Sequence, residues 1–108
     1  MIRVSRHTAE GFRVMAEYGG WKVGMLRYNE RFSCLKEMER HLLTDEIFVL
    51  LSGTATLYTD SQSLEMEQGS IYNIPAGVWH HIVVSKDANV LVVENRDTSI
   101  ENTQKKTL

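Results

Sequence analysis

Short runs of β-forming residues separated by turn residues constrain the fold of this chain more than any other feature. The clearest run, Glu46–Leu51, is apolar after its first residue and ends at Ser52-Gly53. Similar runs recur at intervals of roughly 8 to 12 residues, with Gly, Asn, Asp or Pro between them. No helical period longer than two turns is present. The pattern predicts eight or nine strands in an all-β sandwich or small barrel.

The predicted strands cover most of the chain. Alternating or continuous apolar residues place them at 12–17, 21–28, 32–41, 46–51, 54–59, 64–66, 71–75, 80–84 and 90–94. The residues after Asn95 are mainly polar, which predicts a loosely held tail of about residues 96–108 behind a core of about residues 20–95. With 108 residues, 43% of them apolar, the chain is long enough for one domain with one core.

The charged residues argue against nucleic-acid and membrane partners. Basic and acidic side chains, 12 and 14 in number, are mixed along the chain, so no basic surface is expected. No apolar run approaches the 18 residues of a membrane-spanning helix, and the first ten residues do not resemble a signal peptide. The lone cysteine, Cys34, excludes an internal disulfide and a cysteine-based metal motif. We therefore expect a cytoplasmic protein.

Two ordered sets of residues are the strongest functional signal. In the first set, Glu39-Arg40-His41 is followed after four residues by Glu46 and after six more by Gly53. The second set combines two glycines, a proline and a histidine at intervals of five, one and two residues: Gly69, Pro75, Gly77 and His80. Both sets resemble the two motifs of the cupin superfamily. The resemblance implies a cupin-like double-stranded β-helix, or jelly-roll barrel, of the small single-domain type.

The chain departs from the family pattern at three places. Glu39 stands where the family has its first histidine, Ser33 where it has an opening glycine, and Val84 where it has a final asparagine. Three of the family's usual four ligand positions therefore keep their usual residues, and a carboxylate occupies the fourth.

The resemblance implies that His41, Glu46 and His80 hold a divalent metal ion. Two imidazoles and one carboxylate suit Fe, and also Mn, Ni or Zn. Taken singly, His80 is also explained as a core histidine and Glu46 as a turn cap. Glu39 shares a strand face with His41, and three roles stay open for it: a fourth ligand, the general base, or a partner of Arg27 or another basic residue.

Two functions are compatible with such a site. The first is a metal-dependent enzyme that acts on a small polar metabolite in the barrel by isomerase, epimerase, lyase or dioxygenase chemistry. The alternative is a non-catalytic cupin that binds or senses a small ligand, with or without metal.

Two further expectations concern the surface. Apolar residues on both faces of Ile47–Leu51 need a second covering surface, which together with the family resemblance predicts a homodimer. His81 is expected to face outward, because side chains alternate along a strand and His80 faces inward.

Overall fold

Ten strands form two five-stranded antiparallel sheets in the computed structural model, which describes residues 1–108. The strands are β1 (Gly11–Tyr18), β2 (Trp21–Arg27), β3 (Glu37–His41), β4 (Glu46–Ser52), β5 (Ala55–Thr59), β6 (Ser63–Glu65), β7 (Ile71–Ile74), β8 (His80–Val84), β9 (Asn89–Asn95) and β10 (Thr103–Thr107). Single 3-10 turns lie at Glu30–Phe32 and Ile100–Asn102.

The two sheets pack as a jelly-roll barrel, which confirms the predicted all-β fold. One sheet has the order β1-β2-β9-β4-β7 and the other the order β10-β3-β8-β5-β6. Strands distant in sequence are therefore neighbours, with β2 and β4 on either side of β9 and β3 beside β8. None of the helical segments has the length and apolarity needed to cross a bilayer.

The prediction of a loosely held C-terminal tail was wrong. Residues 103–107 form β10, which pairs along its whole length with β3 and places Thr103 beside His41 and Lys105 beside Glu39. The preceding 3-10 turn is closed by a capping box in which Ser99 and Asn102 bond each other's backbone. β10 lies at a sheet edge, where backbone pairing with β3 suffices and an apolar face is not required. Its polar sequence therefore gave no strand signal.

The interior of the barrel has an apolar end and a polar end. The apolar end contains buried aliphatic side chains, among them Leu50, Val84, Ala88 and Val90. The polar end contains His41, Glu46, His80 and Glu94, all of them buried. On β4, β8 and β9 alternate residues face inward, so that each strand contributes to both ends. Because Ile47 pairs with Val93 in this antiparallel pair of strands, the start of β4 and the end of β9 lie at the same end of the barrel.

Turn glycines fix where two of the site strands end or begin. Gly53, which stops β4, has φ +73°, and a Cβ there would lie 2.6 Å from the Ala88 Cα atom. Gly77, in the turn before β8, has φ +82°, as the Pro-x-Gly pattern predicts. The Gly77 N–H donates to the His41 carbonyl at 2.8 Å, which ties the turn to the end of β3.

Candidate metal centre

Four strands contribute one buried polar side chain each to the polar end of the barrel. His41 is the last residue of β3, Glu46 the first of β4 and His80 the first of β8, while Glu94 lies near the end of β9. β3 neighbours β8 in one sheet and β4 neighbours β9 in the other. Because the two sheets face each other across the barrel, residues up to 53 positions apart in sequence meet in one place. The structure thus brings together the three predicted metal-binding residues, and it adds Glu94.

Both imidazoles converge on one oxygen of Glu46. The Nε2 atom of His80 lies 2.8 Å from Glu46 Oε1, and the Nε2 atom of His41 lies 3.3 Å from the same oxygen. The ring centroids are 5.4 Å apart. Two nitrogen donors and one carboxylate oxygen therefore already share a common focus.

The outer nitrogens of both rings are held by hydrogen bonds. His80 Nδ1 donates to the Val78 carbonyl at 2.9 Å, and His41 Nδ1 lies 2.9 Å from the Thr103 hydroxyl of β10. With its proton on Nδ1, a neutral His80 presents a bare Nε2 to the Glu46 carboxylate, so that a proton or a metal cation must lie between them. The hydrogen bonds thus direct both Nε2 atoms inward.

His41 supplies the test of whether these residues fit a metal ion. Its Nε2 atom is buried and makes no hydrogen bond, although it lies close to Glu46. A buried polar nitrogen without a partner is costly, and coordination to a cation is one way of satisfying its lone pair. One donor atom each from His41, Glu46 and Glu94 lies within 4.8 Å of the other two, and the same holds for Glu39, His41 and His80. The residues therefore fit a divalent metal ion.

The Glu46 carboxylate shifts the pKa values of the other ionisable groups at the polar end. Burial lowers the pKa of His80 and His41, but the nearby Glu46 carboxylate outweighs it, so both pKa values lie above the ordinary range. Burial raises the pKa of Glu46, yet the close imidazoles of His41 and His80 bring it well below its usual value. Burial and the adjoining Glu46 carboxylate raise the pKa of Glu94 to about 8.

Glu94 was missed by the sequence analysis. Its signal was its place at the end of an inward-facing series, Val90, Val92 and Glu94, where an acidic residue interrupts a buried face. The nearest cation is Lys22, whose Nζ lies 3.9 Å from Glu94 Oε1 and donates to the Thr98 carbonyl at 2.9 Å. Lys22 therefore offsets the charge of Glu94 only in part.

Glu39 also lies at the polar end, but its surroundings differ from those of Glu94. Its Oε2 atom accepts a hydrogen bond from Arg31 at 2.8 Å, and its Oε1 atom lies 3.6 Å from His41 Nε2. Arg27, one suggested partner, instead donates to the Ala9 carbonyl. Glu39 is thus paired with another basic residue while one of its oxygens stays near the histidines.

His81 does not face solvent, and that prediction was wrong. Its Nε2 atom donates to the Cys34 carbonyl at 3.1 Å, and its ring stacks on Phe32 with centroids 6.1 Å apart. The segment carrying the first 3-10 turn covers this part of β8, which strand alternation alone does not reveal. Burial lowers the pKa of His81, and the side chain serves as part of the cavity wall.

A cavity of about 290 Å³ opens at the polar end. This volume is near the lower end of the roughly 300–1,000 Å³ that small-molecule sites span. Besides the buried histidines and glutamates, its polar lining comes from Lys22, Arg31, Glu39, Thr98, Ser99, Thr103 and Lys105. Carboxylates, ammonium groups and hydroxyls thus surround a space suited to a small polar molecule.

Comparison with known proteins establishes the family. A family model described as "Cupin domain" matches residues 35–94. The chain belongs to the cupin family. The matched span of this cupin contains His41, Glu46 and His80 and ends at Glu94.

One relative of this cupin is an uncharacterised protein of Streptomyces coelicolor. The two are 38% identical over 52 residues, which cover 45% of this chain and 48% of the relative. The match thus spans about half the length of that protein.

Solved cupin structures agree with the observed fold. A cupin-2 domain protein from Shewanella frigidimarina has a TM-score of 0.66 at 24% identity, covering 86% of this chain and 85% of its own. The Streptomyces nucleoside dehydratase Pac13, also solved with uridine, has a TM-score of 0.72 at 10% identity, covering 96% and 85%. KdgF from Halomonas has a TM-score of 0.65 at 13% identity, covering 83% and 84%. At these identities the likeness establishes the fold.

Proposed function

We propose that this cupin is a metal-dependent enzyme that acts on a small polar metabolite inside the barrel. The observation that carries the proposal is the convergence of His41 Nε2 and His80 Nε2 on Glu46 Oε1, at 3.3 and 2.8 Å, beside a cavity. A core built only for stability has no need of three buried ionisable groups around one point, because burying them costs free energy.

His41, Glu46 and His80 are the residues that would hold the metal. Their donor set suits Fe, Mn, Ni or Zn. A bound divalent ion supplies Lewis-acid polarisation of a substrate oxygen. The Val78 carbonyl and the Thr103 hydroxyl keep the two imidazoles oriented, as outer hydrogen bonds do at metal sites.

Glu39 is the proposed general base. Arg31 holds its Oε2 atom, while its Oε1 atom is the one nearer the histidines, and both residues line the cavity. Glu39 Oε1 would take a proton from a substrate carbon next to a polarised carbonyl. Return of that proton at a second carbon is isomerisation, return on the opposite face is epimerisation, and departure of a leaving group is lyase chemistry. Dioxygenase chemistry, with O2 as co-substrate, also suits the ligand set.

The polar lining and small volume support a compact, hydroxyl-bearing or anionic substrate. Lys22, Arg31 and Lys105 are the cations of the cavity wall, and Thr98 contributes a buried hydroxyl that has no hydrogen-bond partner. Pac13, which has this fold, is solved with uridine, and this supports a small polar ligand here. The alternative function, a non-catalytic small-ligand-binding or sensor cupin, uses the same cavity without turnover.

Metal content and turnover test this proposal together. Freshly purified wild type is expected to contain or to take up close to one metal ion per chain, and the double variant His41→Ala/His80→Ala to lose it. His7→Ala, outside this cavity, is the matched control. Wild type that neither contains nor binds Mn, Fe, Ni or Zn would contradict the proposed metal site. In a metabolite mixture, turnover lost in the double variant supports the enzyme, whereas thermal protection without turnover supports the binder.

We also propose a homodimer that forms through the outer face of the first sheet. Strand pairing aligns two rows of apolar side chains across this face: Val23, Val93 and Ile47 in one row, and Met25, Leu91, Val49 and Ile71 in the other. Ile71 is 72% exposed and the neighbouring Leu51 is 49% exposed. A second copy would bury this surface.

Light scattering at micromolar concentration tests the dimer. Wild type is expected at twice the chain mass and Val49→Lys at the chain mass, while Leu64→Lys, on the other sheet, should leave the dimer intact. A monomeric wild type contradicts the proposal.

The absence of a disulfide-forming pair of cysteines supports the further proposal of a cytoplasmic location.

A further inference from the structure

We propose that Glu94, rather than Glu39, is the second carboxylate ligand, so that His41, Glu46, His80 and Glu94 together form the metal donor set. This inference rests on the proposed metal function. It also assigns a site role to a residue outside the two motifs that mark the family in this sequence.

Proximity makes Glu94 a candidate. Its donor oxygen belongs to a group with His41 and Glu46 in which every pair of donor atoms lies within 4.8 Å. The pairing of Val93 with Ile47 places Glu94 and Glu46 beside each other on adjacent strands. Glu94 therefore needs no rearrangement of the backbone to approach a metal held by the other two residues.

The existing partners of the two carboxylates distinguish them. Glu39 has a charge-assisted hydrogen bond of 2.8 Å to Arg31, and its side chain is 20% exposed. Glu94 has no hydrogen bond to a cation: the Lys22 ammonium lies 3.9 Å away, and the Glu94 side chain is only 7% exposed. A metal that recruited Glu39 would have to compete with Arg31 for it, whereas Glu94 lacks a comparable partner.

Charge balance points to the same assignment. The Glu39 carboxylate and the Arg31 guanidinium neutralise each other, although Arg31 also lies 3.7 Å from Glu37. Glu46 and Glu94 place two buried carboxylates side by side. One divalent cation, held together with two neutral imidazoles, would balance both charges, which is the condition under which a buried carboxylate pair is tolerated.

The assignment divides the work between the two glutamates. With Glu94 on the metal, Glu39 is left free to exchange protons with a substrate, and Arg31 keeps it in place. Lys22, whose ammonium donates to the Thr98 carbonyl and lies 3.9 Å from Glu94 Oε1, places a positive charge beside the site that opposes binding of a metal cation.

Titration of Mn2+ into metal-free protein, followed by calorimetry and by the EPR signal of free Mn2+, tests the assignment. Glu94→Gln should raise the Mn2+ Kd at least about 10-fold, the lower bound for loss of groups that support a metal. The matched isosteric variant Glu39→Gln should change it by less than about threefold, as expected for a residue that is not a ligand. An unchanged Kd in Glu94→Gln, or a larger loss in Glu39→Gln, overturns the inference.

Glu94→Asp provides a second measurement if Glu94→Gln does not fold, because it keeps the charge but withdraws the carboxylate by one methylene. It should raise the Mn2+ Kd more than the matched variant Glu39→Asp does, and an equal or smaller effect contradicts the inference. Wild type that binds none of the four candidate metals overturns the proposed metal function itself. If wild type and Glu94→Gln bind Mn2+ with equal affinity, only the proposed role of Glu94 is overturned.

Discussion

The two ends of the barrel interior are built from the same strands but obey different physical constraints. β4 passes from Glu46 to Leu50, and β9 passes from Glu94 to Val90. At the apolar end Leu50 and Val90 are 1% and 0% exposed, and burial of each stabilises the fold by roughly 1.5–3 kcal/mol. At the polar end buried charges oppose folding. The apolar end therefore provides the stability that offsets the cost of burying charges at the polar end.

The largest expected effect is loss of stability at the apolar end. Leu50→Ala should lower the free energy of unfolding by about 2–5 kcal/mol, because it removes buried methyl groups and leaves a cavity. Leu64→Ala, on a side chain that is 43% exposed, should change it by less than about 1 kcal/mol. Urea denaturation of metal-free protein measures both.

The same variant tests whether the two ends act separately. Folded Leu50→Ala should bind Mn2+ within about threefold of wild type, since distant sites behave independently. A large loss of Mn2+ affinity in fully folded Leu50→Ala would show that the two ends of the barrel are coupled.

A smaller effect is expected from pH acting on the polar end. The unfolded Glu94 carboxyl loses its proton near pH 4.5, whereas the folded one, with its raised pKa, keeps it until about pH 8. The unfolded state therefore binds fewer protons across this window, and stability of metal-free protein falls as pH rises through it. His41 and His80, whose pKa values are also raised, stabilise the fold below pH 6.5, and this contribution is lost as pH rises further.

Glu94→Gln isolates the contribution of Glu94. Metal-free Glu94→Gln should lose less stability than wild type between about pH 5 and about pH 8. Chemical denaturation with EDTA present, at several pH values, gives the slopes. Glu39→Gln should follow the wild-type slope. Parallel curves for Glu94→Gln and wild type would mean that Glu94 is not kept protonated in the fold.

The smallest effect concerns the support of one ligand. Thr103→Val removes the hydroxyl beside His41 Nδ1 and leaves a side chain of similar size on β10. Mn2+ affinity should fall about 10-fold, or about 1.4 kcal/mol, while the midpoint of thermal unfolding stays close to wild type. Thr107→Val, at the far end of β10, is the matched control. Equal affinity in the two variants would remove β10 from the metal centre.

Much of this architecture was accessible from the sequence because it depends on local patterns. Strand alternation and turn residues located β1 to β9, although β3 begins only at Glu37 and not at residue 32, since side-chain period and glycine conformation are properties of short segments. Motif spacing selected His41, Glu46 and His80, which the fold does bring together. These residues lie at strand ends beside turns, where their polarity stands out from the apolar residues that follow.

The missed features depend on pairing between distant segments. β10 forms because β3 offers it an edge, and a polar five-residue segment carries no sign of that neighbour. The burial of His81 depends on the covering segment near Phe32, and the pairing of Glu39 depends on Arg31 in the same segment. Glu94 joins the centre through the register of β9 against β4. Such contacts are tertiary, and period alone does not encode them.

The proposed function depends on a metal ion held at the polar end by His41, Glu46 and His80. Anomalous diffraction from a crystal soaked in Zn2+ tests it most directly. We expect one dominant peak in the cavity, about 2.0–2.2 Å from the Nε2 atoms of His41 and His80 and from a carboxylate oxygen of Glu46. No peak in the cavity at saturating Zn2+, or peaks only on the outer surface of the barrel, would contradict it.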